Sequence, residues 1–528
     1  MIFNIVSLFV AFIIGSSIKV FGNLQFTGMD GGVLVNSAYM SFLGYKPYVD
    51  FMTAVPPLFL MGGGLAFKVF GLSWNSIVLA AAIFSSLTFL LHVYLLKKIG
   101  FGKVLSIITA LYVQSITVVI RGYWYYNFIT IITAILFISS SILYLKDQNN
   151  IKNRMILILI TSFLFLVKVN IAAPLLILTY LFLLFSTTNK KYTFIIILLS
   201  LFLSLLFLFF FNINPLDMIE NYMISSSRAL SFDGWISFIF LNQRWEVKES
   251  FLFFLPILIA FFVSTIDSIF ITRHIQKNKF VLVLPLISII IGIIALGTNN
   301  DFNMTDGSLV IFGIILSIFF WQKQSKDIFL KKLIDGLSFI TIVAFTISGF
   351  YKGYDRFGLR EGLAPNQRGV EFFFDGSSEK PPLANISDSF FFNTLKAGPL
   401  FNNTTKNINI IINKAKSTGA NLQESVFIGP RIDFSYAANN LYPAKGLPLW
   451  WEPFSNGSLP LSKIMINRFI DKKIKLAIFL FQNYPFIPFE LTSHLNSEFD
   501  TYEYRGLTVY ILKNEQSLNP LRKILKKS

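Results

Sequence analysis

Asp30 and Asp50 bracket a short amphipathic run in the stretch Phe26 to Leu60, FTGMDGGVLVNSAYMSFLGYKPYVDFMTAVPPLFL. Both stand beside apolar sequence, where a charged group is expensive and is retained for a task. Asp30 has Gly28 before it and Gly31 and Gly32 after it. Glycines let the main chain bend and leave room for a substrate. A carboxylate there can take the proton of an incoming hydroxyl, the work of a general base. The competing reading is a cap for a helix that starts near Val33. Asp50, in PYVDFMTAVPP, can orient an acceptor, hold a metal, or fix its loop by pairing with Lys46 or an arginine.

Cations supply the complementary chemistry. Lys168 lies in LVKVN and Arg121 opens RGYWYYN, while Lys46, Arg228 and Arg244 sit in polar stretches between apolar runs. Preplaced cations stabilise negative charge that develops where water is scarce. The alternative for Lys168 and Arg121 is snorkelling to lipid headgroups. Tyr123, Trp124, Tyr125 and Tyr126 either contact a ligand or form the aromatic belt that Trp and Tyr make at membrane interfaces.

The elements that must hold these groups are apolar helices. Runs of about 20 residues, long enough to cross a bilayer, recur through the first two thirds of the chain. Spans are expected at roughly 2–21, 75–96, 104–120, 128–145, 155–168, 170–186, 192–211, 250–272, 280–297, 308–321 and 333–351, about eleven helices. The first lacks a basic n-region and a small-residue cleavage site, so it is expected to be a retained span. Basic clusters separate the spans: Lys97, Lys98 and Lys103; Lys146, Lys152 and Arg154; Lys190 and Lys191; Arg273, Lys277 and Lys279; Lys323, Lys326, Lys331 and Lys332. The positive-inside rule makes these loops cytoplasmic. The N-terminus is then inside, and loops 22–74 and 212–249 are outside. A span at Pro57 to Gly71 would put Lys97, Lys98 and Lys103 outside. That segment is therefore expected to lie in or dip into the outer interface, and Gly62 to Gly64 weaken it as a spanning helix.

Beyond Phe350 the composition changes to mixed charge, prolines and turn signals. TTKNINIIINKAKSTG predicts an amphipathic helix. ESVFIG, KIKLAIFLF and LTVYILK predict strands. The expected architecture is an α-helical polytopic membrane domain over 1–351 and an extracytoplasmic α/β domain over 352–528.

Composition narrows the function. Of 528 residues 54% are hydrophobic and 14% charged, against about 25% charged in a soluble average. The net charge of +17 would suit nucleic acid, but much of the excess falls in short loops between spans, which argues for the membrane instead. With no Cys, disulfides, thiol catalysis and cysteine metal sites are excluded. His92, His274 and His494 are too scattered for zinc-ligand spacing.

The order Asp30, short helix, LGYKPYVDF and PPL resembles the first outer loop of the GT-C superfamily of membrane glycosyltransferases. The stretch FIGPRIDFSYAANNLYP, with Arg431, resembles tail domains of some bacterial members. The resemblance implies an inverting glycosyltransferase in a bacterial plasma membrane. It would take a sugar from a polyprenyl-phosphate donor and pass it to a cell-envelope lipid, glycan or protein on the outer face. Asp30 would be the general base and Asp50 a second site carboxylate. Lys168, Arg121, Arg228 and Lys46 would meet the lipid phosphate. Tyr48, Trp124 and Tyr126 would contact sugar or lipid, and a juxtamembrane helix in NPLDMIENYMISSSRALSFDGWISF would help to close the site. Gly31 stands where the protein O-mannosyltransferase branch has the second acid of an Asp-Glu pair. No cofactor is required by the sequence, and a divalent metal is left open. The rivals are a flippase of lipid-linked sugars, which would more often show internal repeats, and an envelope polysaccharide polymerase or ligase.

Overall fold

The computed structural model describes residues 2–24, 28–53, 55–115, 124–225, 259–262, 279–298, 304–324, 328–356, 384–385, 396–397, 399–429, 435–448, 466–471, 474–479 and 489–526. The chain divides into two compact units. One comprises Met1–Ile18, Ala81–Phe207 and Ala229–Gly353; the other comprises Lys19–Ala80, Leu208–Arg228 and Tyr354–Ser528. The second unit is wider than the 352–528 domain expected from composition, because it takes in the first loop and the segment around 215–225.

The helices follow the apolar runs. They are α1 (Ile2–Leu24), α2 (Gly28–Phe42), α3 (Pro57–Phe70), α4 (Trp74–Ile99), α5 (Lys103–Gln114), α6 (Tyr126–Lys146), α7 (Ile151–Leu164), α8 (Val169–Ser186), α9 (Lys190–Phe210), α10 (Pro215–Ser225), α11 (Lys279–Thr298), α12 (Met304–Gln324) and α13 (Ile328–Arg356). Five of the described helices, α1, α4, α6, α8 and α9, are long and apolar enough to cross a membrane. Of the expected span 250–272, only 259–262 falls among the described residues.

In the first unit α6 is the central helix. It packs against α7, α8, α11 and α12, and its side chains from Asn127 to Tyr144 are buried. Several of its hydroxyls are satisfied within the helix: Thr130, Thr133 and Ser139 each donate to the carbonyl four residues back. That is how a hydroxyl is carried where no water reaches it. Helices α11 and α12 approach closely at glycine. A Cβ on Gly313 would stand 2.6 Å from the Pro285 carbonyl oxygen, so a larger residue would push the pair apart.

In the second unit α2 packs on α3. Gly64 makes this possible, since a Cβ there would meet Ser41 Cβ at 3.1 Å. The Gly62–Gly64 run, expected only to weaken α3, therefore serves close helix packing. Beyond α13, the described tail has β2 (Ala384–Asn385), β3 (Lys396–Ala397), α14 (Pro399–Ser417), β4 (Val426–Gly429), α15 (Ser435–Ala438), β5 (Leu447–Pro448), β6 (Leu476–Phe479), α16 (Phe489–Glu498), β7 (Phe499–Tyr504), β8 (Leu507–Leu512) and α17 (Asn519–Leu525). Four strands form a mixed sheet in the order β4-β6-β8-β7. β4 and β6 are parallel and the other pairs antiparallel. At the β4 edge the buried Tyr436 hydroxyl accepts from the Ile428 amide at 2.9 Å and donates to the Val426 carbonyl at 3.2 Å, which occupies backbone groups that would otherwise invite another strand. The core around this sheet includes Phe427, Phe469, Phe479, Leu491 and Tyr510, and also Met52 from the first loop.

Candidate functional site

The first loop is built on a strand, β1 (Phe51–Met52), that pairs in parallel with β5 of the tail; Phe51 faces Leu447 and Met52 faces Pro448. Just before β1, Lys46 and Asp50 close a turn on each other. The Lys46 amide donates to Asp50 Oδ2 at 2.8 Å, and the Asp50 amide donates to the Lys46 carbonyl at 2.8 Å. The carboxylate thus fixes the loop through the main chain of Lys46. Asp50 is half-exposed and Lys46 is exposed.

Three distant segments then hold this turn. The Gly446 amide donates to the Asp50 carbonyl at 2.5 Å. The Tyr45 hydroxyl donates to the Pro443 carbonyl at 2.9 Å and lies 3.3 Å from Glu424 Oε1. Lys445 completes this clasp, 3.9 Å from Glu424 and 5.1 Å over the Tyr45 ring. Burial, and after it the Glu424 carboxylate, pushes the Tyr45 phenol well above its ordinary range, so it remains a proton donor. From α10, Asn221 Nδ2 donates to the Tyr48 carbonyl at 2.9 Å. Tyr48 adopts φ 70°, a costly conformation for a bulky residue that persists where the surroundings over-determine it. Its hydroxyl donates to the Val55 carbonyl at 2.7 Å.

Tyr48 is therefore not open to a sugar or lipid, as the sequence had suggested; it is buried and its hydroxyl is taken up by the loop. The same correction applies to Trp124, 5% exposed and edge-on to Phe84 at 5.2 Å and Phe128 at 6.0 Å. Asp30 occupies the third position of α2, which starts at Gly28 rather than near Val33. It is a first-turn residue and not the residue before the helix.

In the first unit the sequence-predicted groups Lys168 and Tyr126 come together. Lys168 precedes α8. Its ammonium lies 3.5 Å from Asn127 Oδ1 and 5.5 Å over the Tyr126 ring; its amide meets Thr130 Oγ1 at 3.3 Å. Tyr126 in turn stacks on Tyr125 at 4.8 Å. A cation at the positive end of a helix gains nothing from the dipole. An anion would gain from the ammonium and from the first amides of α8 together. Arg121, Arg228, Arg244 and Arg431 lie outside the described residues. Asn127, Thr130, Tyr45, Asn221 and Glu424 were not singled out from sequence, although Tyr45 belongs to the quoted LGYKPYVDF motif. Among the described residues no three His, Asp or Glu side chains converge on one point.

No family model matches the sequence, and no curated protein matches it. Its fold does match solved structures. ArnT from Cupriavidus metallidurans, bound to undecaprenyl phosphate, aligns with a TM-score of 0.51 at 12% identity, over 96% of this chain and 97% of that one. The apo form of the Archaeoglobus fulgidus oligosaccharyltransferase aligns with a TM-score of 0.49 at 11% identity, over 97% of this chain and 74% of that one. The chain is thus a polytopic α-helical membrane protein that shares the fold of the ArnT structure over nearly its whole length.

Proposed function

We propose that the protein is an inverting glycosyltransferase that moves a sugar from a polyprenyl-phosphate donor to a cell-envelope acceptor at the outer membrane face. Asp30 takes the proton of an acceptor hydroxyl. That oxygen attacks the anomeric carbon opposite the phosphate. The new C–O bond forms as the bond from the anomeric carbon to the phosphate oxygen breaks, and polyprenyl phosphate leaves as an anion. Lys168, with Arg121 and Arg228, is assigned to that anion, and Lys46 to the same phosphate during entry. Tyr126 positions the Lys168 ammonium by lying under it. Asp50 holds the loop in shape. Asp30 and Asp50 are the oxygen ligands a divalent ion would find in the first loop.

The observation that carries this reading is a first loop with two carboxylates on a chain that shares, over nearly its whole length, the fold of a structure bound to undecaprenyl phosphate. Right-side-out membrane vesicles containing the protein, given a radiolabelled polyprenyl-phosphate sugar, test it. Label is expected to pass to a product that survives chloroform–methanol extraction or mild acid. Label that crosses the membrane yet stays on the donor would instead identify a flippase.

A further inference from the structure

At one end of the first unit, the turn after α4 is ringed by ammonium groups from three helices. Lys146, the last residue of α6, donates to the carbonyls of Lys98 and Ile99 at 3.1 and 3.3 Å. Lys323, near the end of α12, reaches the same turn. A Cβ placed on Gly100 would stand 2.6 Å from Lys323 Nζ and 4.0 Å from Lys146 Nζ. Gly100 has φ +117°, so glycine is required there by conformation as well as by space. The two helix ends are locked into this arrangement by Phe101, stacked on Phe319 at 3.8 Å. Among the described residues neither lysine pairs with a carboxylate.

Two like charges brought to one glycine are unfavourable unless something negative offsets them. The carbonyls at the end of α4 offset part of the Lys146 charge, while Lys323 has only the last turn of its own helix, α12, for partial compensation. The surroundings indicate the source of the anion. Lys323 lies 4.7 Å over the Phe319 ring, Lys97 4.7 Å over Phe3 and Lys98 5.8 Å over Tyr94. Val104, one residue beyond Lys103, is 69% exposed. Ammonium groups perched on aromatic rings beside exposed apolar residues are the arrangement found at headgroup depth. Basic pockets between spanning helices take phosphate-bearing headgroups there.

We infer that Lys146, Lys323 and the Gly100 turn form a binding site for one anionic phospholipid headgroup, separate from the residues assigned to sugar transfer. The oxyanion would lie between the two ammonium groups, with Lys97 and Lys98 adding to the local field. Bound there, the lipid would tie the ends of α4, α6 and α12 together.

Native mass spectrometry of the full chain, released from mixed micelles of equal phosphatidylglycerol and phosphatidylcholine, tests this directly. The wild type is expected to retain phosphatidylglycerol in preference. Lys323→Gln leaves the Lys146 bonds to α4 intact, so the protein should fold, as its melting temperature in phosphatidylcholine alone will verify. It should lower the preference about fivefold, the contribution of one lysine at an anionic surface. Lys190→Gln, an exposed lysine on a different helix end, should change it little. Equal retention of both lipids overturns the site. So does a preference that falls equally in both variants, which would mean diffuse charge. Loss of bound phosphatidylglycerol to millimolar inorganic phosphate, with phosphate retained in its place, would overturn the lipid as the occupant.

Discussion

The Lys46–Asp50 turn, which shapes the first loop, and the Lys168 turn, assigned to the leaving phosphate, are built in opposite ways. The first is held from far away in sequence: its partners are Asn221, Glu424, Pro443 and Gly446, and Tyr45 reaches residues 379 and 398 positions on. The second draws on nearer residues, Tyr126, Asn127 and Thr130 in the first turns of α6, 38 to 42 positions away. A carboxylate loop templated by the tail can be displaced by changes remote from any substrate. The tail is thus the scaffold of the first loop, which gives it a physical purpose independent of any binding function of its own.

The largest effect that separates the two regions should come from Lys168→Ala. Losing one preorganised charge-stabilising group costs on the order of a hundredfold in turnover, and amide exchange of residues 45–52 should stay as in the wild type. If transfer is unchanged, Lys168 only snorkels.

Tyr45→Phe should do the reverse. It removes the hydrogen bond to the Pro443 carbonyl, worth about 1 kcal/mol, and should speed amide exchange in 45–52 and 443–448 together while leaving the Lys168 turn untouched. Asn221→Ala removes the donor to the Tyr48 carbonyl, at a similar cost of about 1 kcal/mol, and should loosen the loop without loosening 443–448. Exchange that rises in the loop alone for both variants would break the link between tail and loop.

A smaller effect is expected from pH. The Ser517 hydroxyl first, and then Lys475 at 3.0 Å, hold the Glu515 carboxyl below its ordinary 4.5, against the opposing effect of burial. A depressed carboxyl contributes stability above its unfolded value and loses it as pH falls through the folded one. Exchange protection of β8 should therefore hold from neutral pH down to about 4.5 and decline below it, and Glu515→Gln should flatten that decline. An unchanged decline in Glu515→Gln would assign it to another group.

Much of the architecture is legible in the sequence because long apolar runs leave a membrane helix few alternatives. The run expected at 75–96 is α4 at 74–99, and that at 128–145 is α6 at 126–146. The strands ESVFIG, KIKLAIFLF and LTVYILK all appear, since each is a short apolar run between turn residues. The β1–β5 pair was not legible: two-residue strands carry no periodicity, and their pairing is decided by tertiary contact. β7 was missed for a related reason, as FDTYEY buries only its end residues, Phe499 and Tyr504, and carries Asp500 and Glu503 between them. At the candidate site the residue types pointed to Asp50, with Lys46 among its partners, and to Lys168, but not to the tail, α10 and α6 contacts around them. Those contacts join segments hundreds of residues apart, or use Asn and Thr side chains that a sequence offers in abundance. Tyr48 and Trp124 misled because an aromatic near a membrane face looks the same in sequence whether it faces a ligand or the core.

Replacing Asp30 by asparagine separates a general base from an acid that only sits in the first turn of α2. Asp30→Asn keeps the size and removes the charge and most of the proton affinity. In vesicles with the labelled donor, transfer is expected to fall by roughly two to four orders of magnitude. Helix α2 should lose only about 0.3–1 kcal/mol from the dipole interaction, so expression and melting temperature should barely move. Asp50→Asn, measured beside it, should loosen the 46–50 turn and reduce transfer far less. Transfer retained in Asp30→Asn but lost in Asp50→Asn would move the base to Asp50, and transfer retained in both would contradict the account.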